Sequence, residues 1–142
     1  MKNLFYLPIL FFFFIQACVG PPDYSDGLLE NNPAVINEAD YFSLSIFGDK
    51  YTEKIEWNLL FSSNPTASLL TTLITKDVNT SSTDSTFLLL MNELGDTVMN
   101  AFIGSEIIFT SLDSLSSIGT PSRVVLESDN FNGRLEYQII IN

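Results

Sequence analysis

The chain holds one cysteine, no histidine, and seventeen Asp and Glu residues against six Lys and Arg. That inventory decides which reactions its side chains can perform. Without an imidazole there is no Ser-His-Asp or Cys-His nucleophile and no histidine-ligated zinc. Cys18 is the single thiol, so the chain can form neither an internal disulfide nor a thiolate cluster. The glycine-rich phosphate loop, the dinucleotide fingerprint and the Gly-x-Ser-x-Gly turn are all absent. Paired carboxylates remain, as glycoside hydrolases use them. Seventeen acids supply such pairs by number alone, so the sequence predicts no enzyme and no cofactor. A formal net charge of −11 also excludes nucleic acid as a partner, because that binding needs cations to neutralise phosphates.

Two weaker constellations use what is left. Glu127 and residues 129–133 (Asp-Asn-Phe-Asn-Gly) cluster oxygen donors of the type Ca²⁺ prefers. Their spacing departs from the EF-hand loop, and Asn132-Gly133 reads as a hairpin turn instead. No metal site is therefore expected. Tyr41, Phe47, Tyr51 and Phe131 fall at turns or on the polar face of alternating segments, where rings can stack on sugars. Of these, Tyr41, Tyr51 and Phe131 are the candidate ligand-stacking residues, against the general tendency of aromatics to bury their large apolar area.

The elements that would position these groups are strands. From Asp40 onward the chain alternates with period two: Phe42, Leu44 and Ile46 in one run, Ile55, Trp57, Leu59 and Phe61 in the next. Residues 69–75, 86–91, 97–103, 106–110, 123–127 and 134–141 continue the pattern. Gly95 supplies the positive φ of a hairpin loop within residues 92–96. Residues 79–85 form a polar loop. Residues 112–118 are expected to make one helical turn, capped by Asp113 or Ser111. Seven to eight short strands with turn signals between them predict an all-β fold, an antiparallel β-sandwich. Trp57 on its alternating strand resembles the core tryptophan of immunoglobulin-like sandwiches. A lipocalin-like β-barrel is the alternative, although the Gly-x-Trp that usually opens its first strand is missing.

The N-terminus has a different design. Lys2 precedes an apolar run over residues 4–15, too short for the ~20 apolar residues of a membrane-spanning helix but fit for a signal peptide. Ile15-Gln16-Ala17-Cys18 resembles the lipobox of bacterial lipoproteins, in the looser form that Bacteroidota accept. The resemblance implies cleavage before Cys18 and diacylation of its thiol, which gives the lone cysteine a role. Residues 19–27, rich in Pro and Gly, resemble the tether that opens small Bacteroidota lipoproteins. The expected organisation is a signal peptide over residues 1–17, a lipidated cysteine and flexible tether over 18–35, and a β-sandwich over 36–142. Cleavage removes one cation and no acid, taking the charge from −11 to −12. With Val19 after the cysteine, the resemblance implies a lipid anchor in the outer membrane, on its periplasmic face or at the cell surface. Ser85, Thr97 and Ser114, each after an Asp, resemble Bacteroidota O-glycosylation acceptors.

The functional expectation is a non-enzymatic envelope lipoprotein that binds a protein or glycan partner. A carboxylate-dependent glycan hydrolase and a barrel that carries a small apolar ligand are the alternatives.

Overall fold

The period-two segments become seven strands in a computed structural model that describes residues 27–142, apart from residue 63. They are β1 (Ala34–Asn37), β2 (Tyr41–Asn58), β3 (Ser68–Lys76), β4 (Ser85–Asn92), β5 (Thr97–Phe102), β6 (Ile107–Ser114) and β7 (Pro121–Ile141). A four-residue helix, α1 (Leu115–Ile118), links β6 to β7. All strand pairs are antiparallel. The sheet runs β1-β2-β7-β3-β6, with β4 and then β5 branching from β7. It does not close into a barrel, so the fold is all-β and sandwich-like.

Two strands are far longer than the sequence predicts. Runs expected to be separate strands, 41–46 with 55–61 and 123–127 with 134–141, are joined into β2 and β7. These two pair with each other along nearly their whole length. The second half of β7 then pairs with β3, and its first half with β4. One sheet thus contains both layers, bent along β2 and β7, and one apolar cluster draws on both halves. Phe42, Leu44, Ile46, Leu135, Tyr137 and Ile139 come from one half, and Leu88, Leu90, Val124 and Leu126 from the other. Each fully buried Leu, Ile or Phe of such a cluster contributes roughly 1.5–3 kcal/mol.

The bend has a local cause. In β2 the buried apolar side chains are at even positions before residue 49 (Phe42, Leu44, Ile46) and at an odd one at Tyr51. In β7 the most deeply buried ones change from even (Val124, Leu126) to odd (Phe131, Leu135, Tyr137, Ile139). Each strand makes that change through a residue with positive φ, Lys50 (52°) and Asn130 (59°), and the β2–β7 register shifts there. An extra residue in a ladder kinks and twists the strand. The amides released at the kink are recaptured by side chains. Lys50 N–H donates to Asn132 Oδ1 and Asn130 N–H to Thr52 Oγ1, at 2.9 and 2.8 Å. Gly48 and Gly133 face each other across the bend. A Cβ on Gly48 would lie 2.6 Å from the Phe131 ring, and Gly133 has φ 140°. The segment expected to be an Asn132-Gly133 hairpin turn is therefore the interior of β7. Asn130 and Gly133, not Asn132, supply the positive φ there, and the chain bends instead of reversing.

Other expectations shift by smaller amounts. Ordered pairing begins before residue 36: Glu30 bridges Phe47, Asn31 exchanges hydrogen bonds with the Asp49 backbone, and β1 starts at Ala34. Residues 27–35, expected as tether, thus include part of the fold. The single helical turn is present, but its N-cap is Ser114, not Asp113 or Ser111, and the cap side chain makes no hydrogen bond to the N–H groups of the turn. The turn is held by Leu115, which is buried in the core. Trp57 is half-buried and packs on Phe42, with ring centroids 6.3 Å apart.

Candidate functional site

The sheet stays open between β5 and β6. A 103–106 link joins them, with Ile103 buried and its N–H bonded to the Thr86 carbonyl. The link is also stitched to β3 and to the 79–84 loop: Thr75 Oγ1 donates to the Ser105 carbonyl and Thr80 Oγ1 to the Gly104 carbonyl. Beyond the link the strands part. Among the described residues β5 pairs only with β4, and β6 only with β3. Leu73, Met99, Ala101, Phe102, Ile107 and Phe109 line the apolar cleft of about 210 Å³ between them. Leu73 is fully buried, so the floor of the cleft is the core itself.

Large apolar side chains surround this opening. Ile108 is 84% exposed, Leu112 69%, Phe102 55% and Phe109 39%. The outward face of β6 continues the patch, because Leu112 lies opposite Leu70, Leu70 opposite Ile140, and Ile140 opposite Tyr41. At the Ile107 end of β6, Thr75, Lys76, Asp77, Glu106, Ile107 and Ile108 line a second groove of about 660 Å³, in which charged and aliphatic side chains are mixed. Asp77 N–H donates to a Glu106 carboxylate oxygen there, at 3.2 Å. An edge strand is normally guarded by a lysine, a proline or a bulge. β6 contains neither lysine nor proline, its register with β3 is unbroken, and its one charge is Asp113. Residues 77–122 contain six carboxylates and no Lys or Arg.

The residues singled out in the sequence lie elsewhere. Tyr51 and Phe131 are 4% and 1% exposed and oppose each other at the bend. They are core residues, so neither presents a ring face for stacking. The error is physical: both were placed on turns, whereas the bend turns them inward. Burial, and then the nearby Glu53 carboxylate, push the Tyr51 phenol above its ordinary value. Tyr41 is half-buried at the end of the outward apolar row, and Phe47 is half-buried with the Arg134 guanidinium 6.0 Å from its ring centre. Thr97 and Ser114 are exposed at strand ends, and Ser85 is half-buried at the start of β4. Cys18 lies outside the described residues.

Carboxylates converge at one further place. Thr52, Glu53, Lys54, Ser85, Glu127, Ser128 and Asp129 line a shallow depression on the outside of the bend. Its Glu127 pairs with Lys54 at 3.3 Å, and both side chains are more than half exposed. A solvated pair of that kind contributes little to stability. Among the described residues no group of three or more acids, cysteines or histidines is arranged to hold a metal ion.

Two buried hydroxyls, those of Tyr51 and Tyr137, have no hydrogen-bond partner among the described residues. Burial raises the Tyr137 phenol far above its ordinary value, so it stays neutral. Sequence reasoning missed the β5–β6 opening because exposure depends on which strand lies beside which. The available signal was the cation-free stretch from Asp77 to Ser122, interleaved with Phe102, Ile108, Phe109 and Leu112. No protein-family model matches this chain, and no curated protein aligns with it significantly.

Proposed function

We propose that this protein is a non-enzymatic, lipid-anchored module of the bacterial cell envelope that binds another envelope protein through the open side of its β-domain. The observation that carries the binding half is the unguarded β6 edge, with Ile108 and Leu112 largely exposed beside the apolar cleft. Exposed contiguous apolar surface and an unpaired strand edge are features that soluble domains suppress unless they serve association. A protein partner is favoured over a glycan because burial of Tyr51 and Phe131 removes two of the three candidate stacking rings. The anchoring half rests on the lipobox-like Ile15-Gln16-Ala17-Cys18 and on the apolar run before it.

Anchoring is tested by metabolic labelling with a palmitate analogue, comparing wild type with Cys18→Ala in membrane and soluble fractions. Label and membrane association that both vanish in Cys18→Ala support the anchor. An unlabelled, freely soluble wild type overturns it and leaves a secreted β-domain.

A further inference from the structure

We infer that β6 is the acceptor for strand addition, and that its ligand is an extended polypeptide segment alternating apolar and basic residues. The inference rests on the binding-module reading and deepens it by naming the ligand chemistry. Strand addition needs an exposed edge for main-chain hydrogen bonds and sites on both faces for alternate side chains. β6 meets both conditions. Among the described residues it is an eight-residue strand paired on one side only. The cleft over Leu73, Met99 and Phe109 lies on the core side, and the groove holding Asp77 and Glu106 lies beside Ile108.

The apolar cleft and the excess of acids around β6 set the ligand's chemistry. The core-side cleft is lined by aliphatic, thioether and aromatic groups, with Asn100 as its polar member. It suits a valine, leucine or phenylalanine side chain. The other groove contains the Asp77 and Glu106 carboxylates and the Lys76 ammonium, and the Arg134 guanidinium pairs with Asp77 at 3.6 Å. Beyond it, residues 77–122 contribute acids alone. The surplus of acids over that stretch, more than the groove itself, therefore favours a lysine or arginine on the added strand and repels an acidic one. The same excess of carboxylates disfavours a second copy of this acidic chain as the occupant.

The test uses the purified full chain, isotopically labelled, titrated with three synthetic peptides. One alternates valine with lysine, one alternates valine with glutamate, and one is the valine–lysine peptide N-methylated at every second residue. N-methylation removes the edge donors but keeps charge and side chains. The expected result is saturable binding of the valine–lysine peptide, with chemical-shift changes and slowed amide exchange in residues 107–114 and none in 34–37. Binding should weaken by about tenfold or more on N-methylation, with the glutamate peptide, and in Leu112→Lys or Ile108→Lys. Both substitutions are at exposed positions and leave the core intact. Equal binding of the N-methylated peptide would reduce the interaction to unspecific charge attraction and overturn the inference. Shifts centred on another strand, or no binding at all, would overturn it as well. Because the titration needs no lipid, its outcome is independent of the Cys18 labelling result.

Discussion

The bend and the opening are two departures from a plain sheet, and the chain treats them in opposite ways. At the bend, the Lys50 and Asn130 amides and the Tyr51 carbonyl are recaptured by side chains. Asn132, Thr52 and Ser128 bond backbone atoms of β2 and β7, and Phe131 fills the inside of the corner against Gly48. At the opening, β5 and β6 leave their outer edges unpaired among the described residues, and four large apolar side chains lie in solvent. Strain and burial are concentrated where the sheet must change direction, while exposed apolar area is left where the sheet could have closed. A defect needed only for folding is expected to resemble the first. The second keeps its cost in the absence of any packing gain, which is what an acceptor surface requires.

The largest expected effect comes from emptying the corner. Phe131→Ala removes a fully buried ring and should destabilise the domain by about 3–5 kcal/mol in urea unfolding. A loss under about 1 kcal/mol would mean that the bend does not depend on this ring. Gly133→Ala comes next. A Cβ there would approach the Lys76 carbonyl and Val78 Cα at 3.0 Å, with φ at 140°, so a cost of about 1–3 kcal/mol is expected. Wild-type stability in Gly133→Ala would show that the backbone can relax, and would weaken the contrast between a fixed corner and a permissive edge.

Leu112→Lys probes the other side of the comparison. The side chain is mostly exposed, so stability should change by no more than about 0.5 kcal/mol. Its consequence should be seen in association instead. Added positive charge on an edge strand blocks pairing with a basic segment, and titration with the valine–lysine peptide should show binding about tenfold weaker than wild type. A substantial fall in stability would show that Leu112 belongs to the folded core and that the apolar opening is packing.

Much of the all-β character was legible because it depends on local alternation. Phe42, Leu44 and Ile46 announce an inward face whatever lies across the strand, and their burial matches. The bend was not legible in the same way. Asn132-Gly133 favours positive φ at that point, and it does so equally for a hairpin reversal or a kink within one strand. Only the pairing of β7 with β2 on both sides of the kink decides between them, and that pairing is nonlocal. The misplacement of Tyr51 and Phe131 follows directly, since their exposure was inferred from the turn. β1 was missed because Ala34–Asn37 (Ala-Val-Ile-Asn) is short and does not alternate apolar with polar residues. For the candidate surface, the acid-only composition of residues 77–122 was readable, but which apolar side chains of that stretch face solvent was fixed by the missing neighbour of β6.

The smallest expected effect links the polar loop to the bend. The Asp84 carboxylate accepts from the Ser81 hydroxyl at 2.7 Å, from the Ser81 N–H at 2.6 Å, and from Asn130 Nδ2 at 2.9 Å. Those bonds, Ser81's foremost, hold its pKa below the ordinary aspartate value. In the unfolded chain the group titrates near ~3.9. A carboxylate with a depressed native pKa stabilises the fold above the unfolded value, and that contribution is lost as pH falls through the native value. Asp84→Asn removes the titrating group. The stability gap between wild type and Asp84→Asn should therefore be constant near neutral pH and close progressively below pH ~4. Urea unfolding of both proteins across the acid range measures it. A gap that stays constant into strong acid would mean that the Asp84 bonds act without their charge, and that Asn130 keeps its positive φ through the β2–β7 ladder alone.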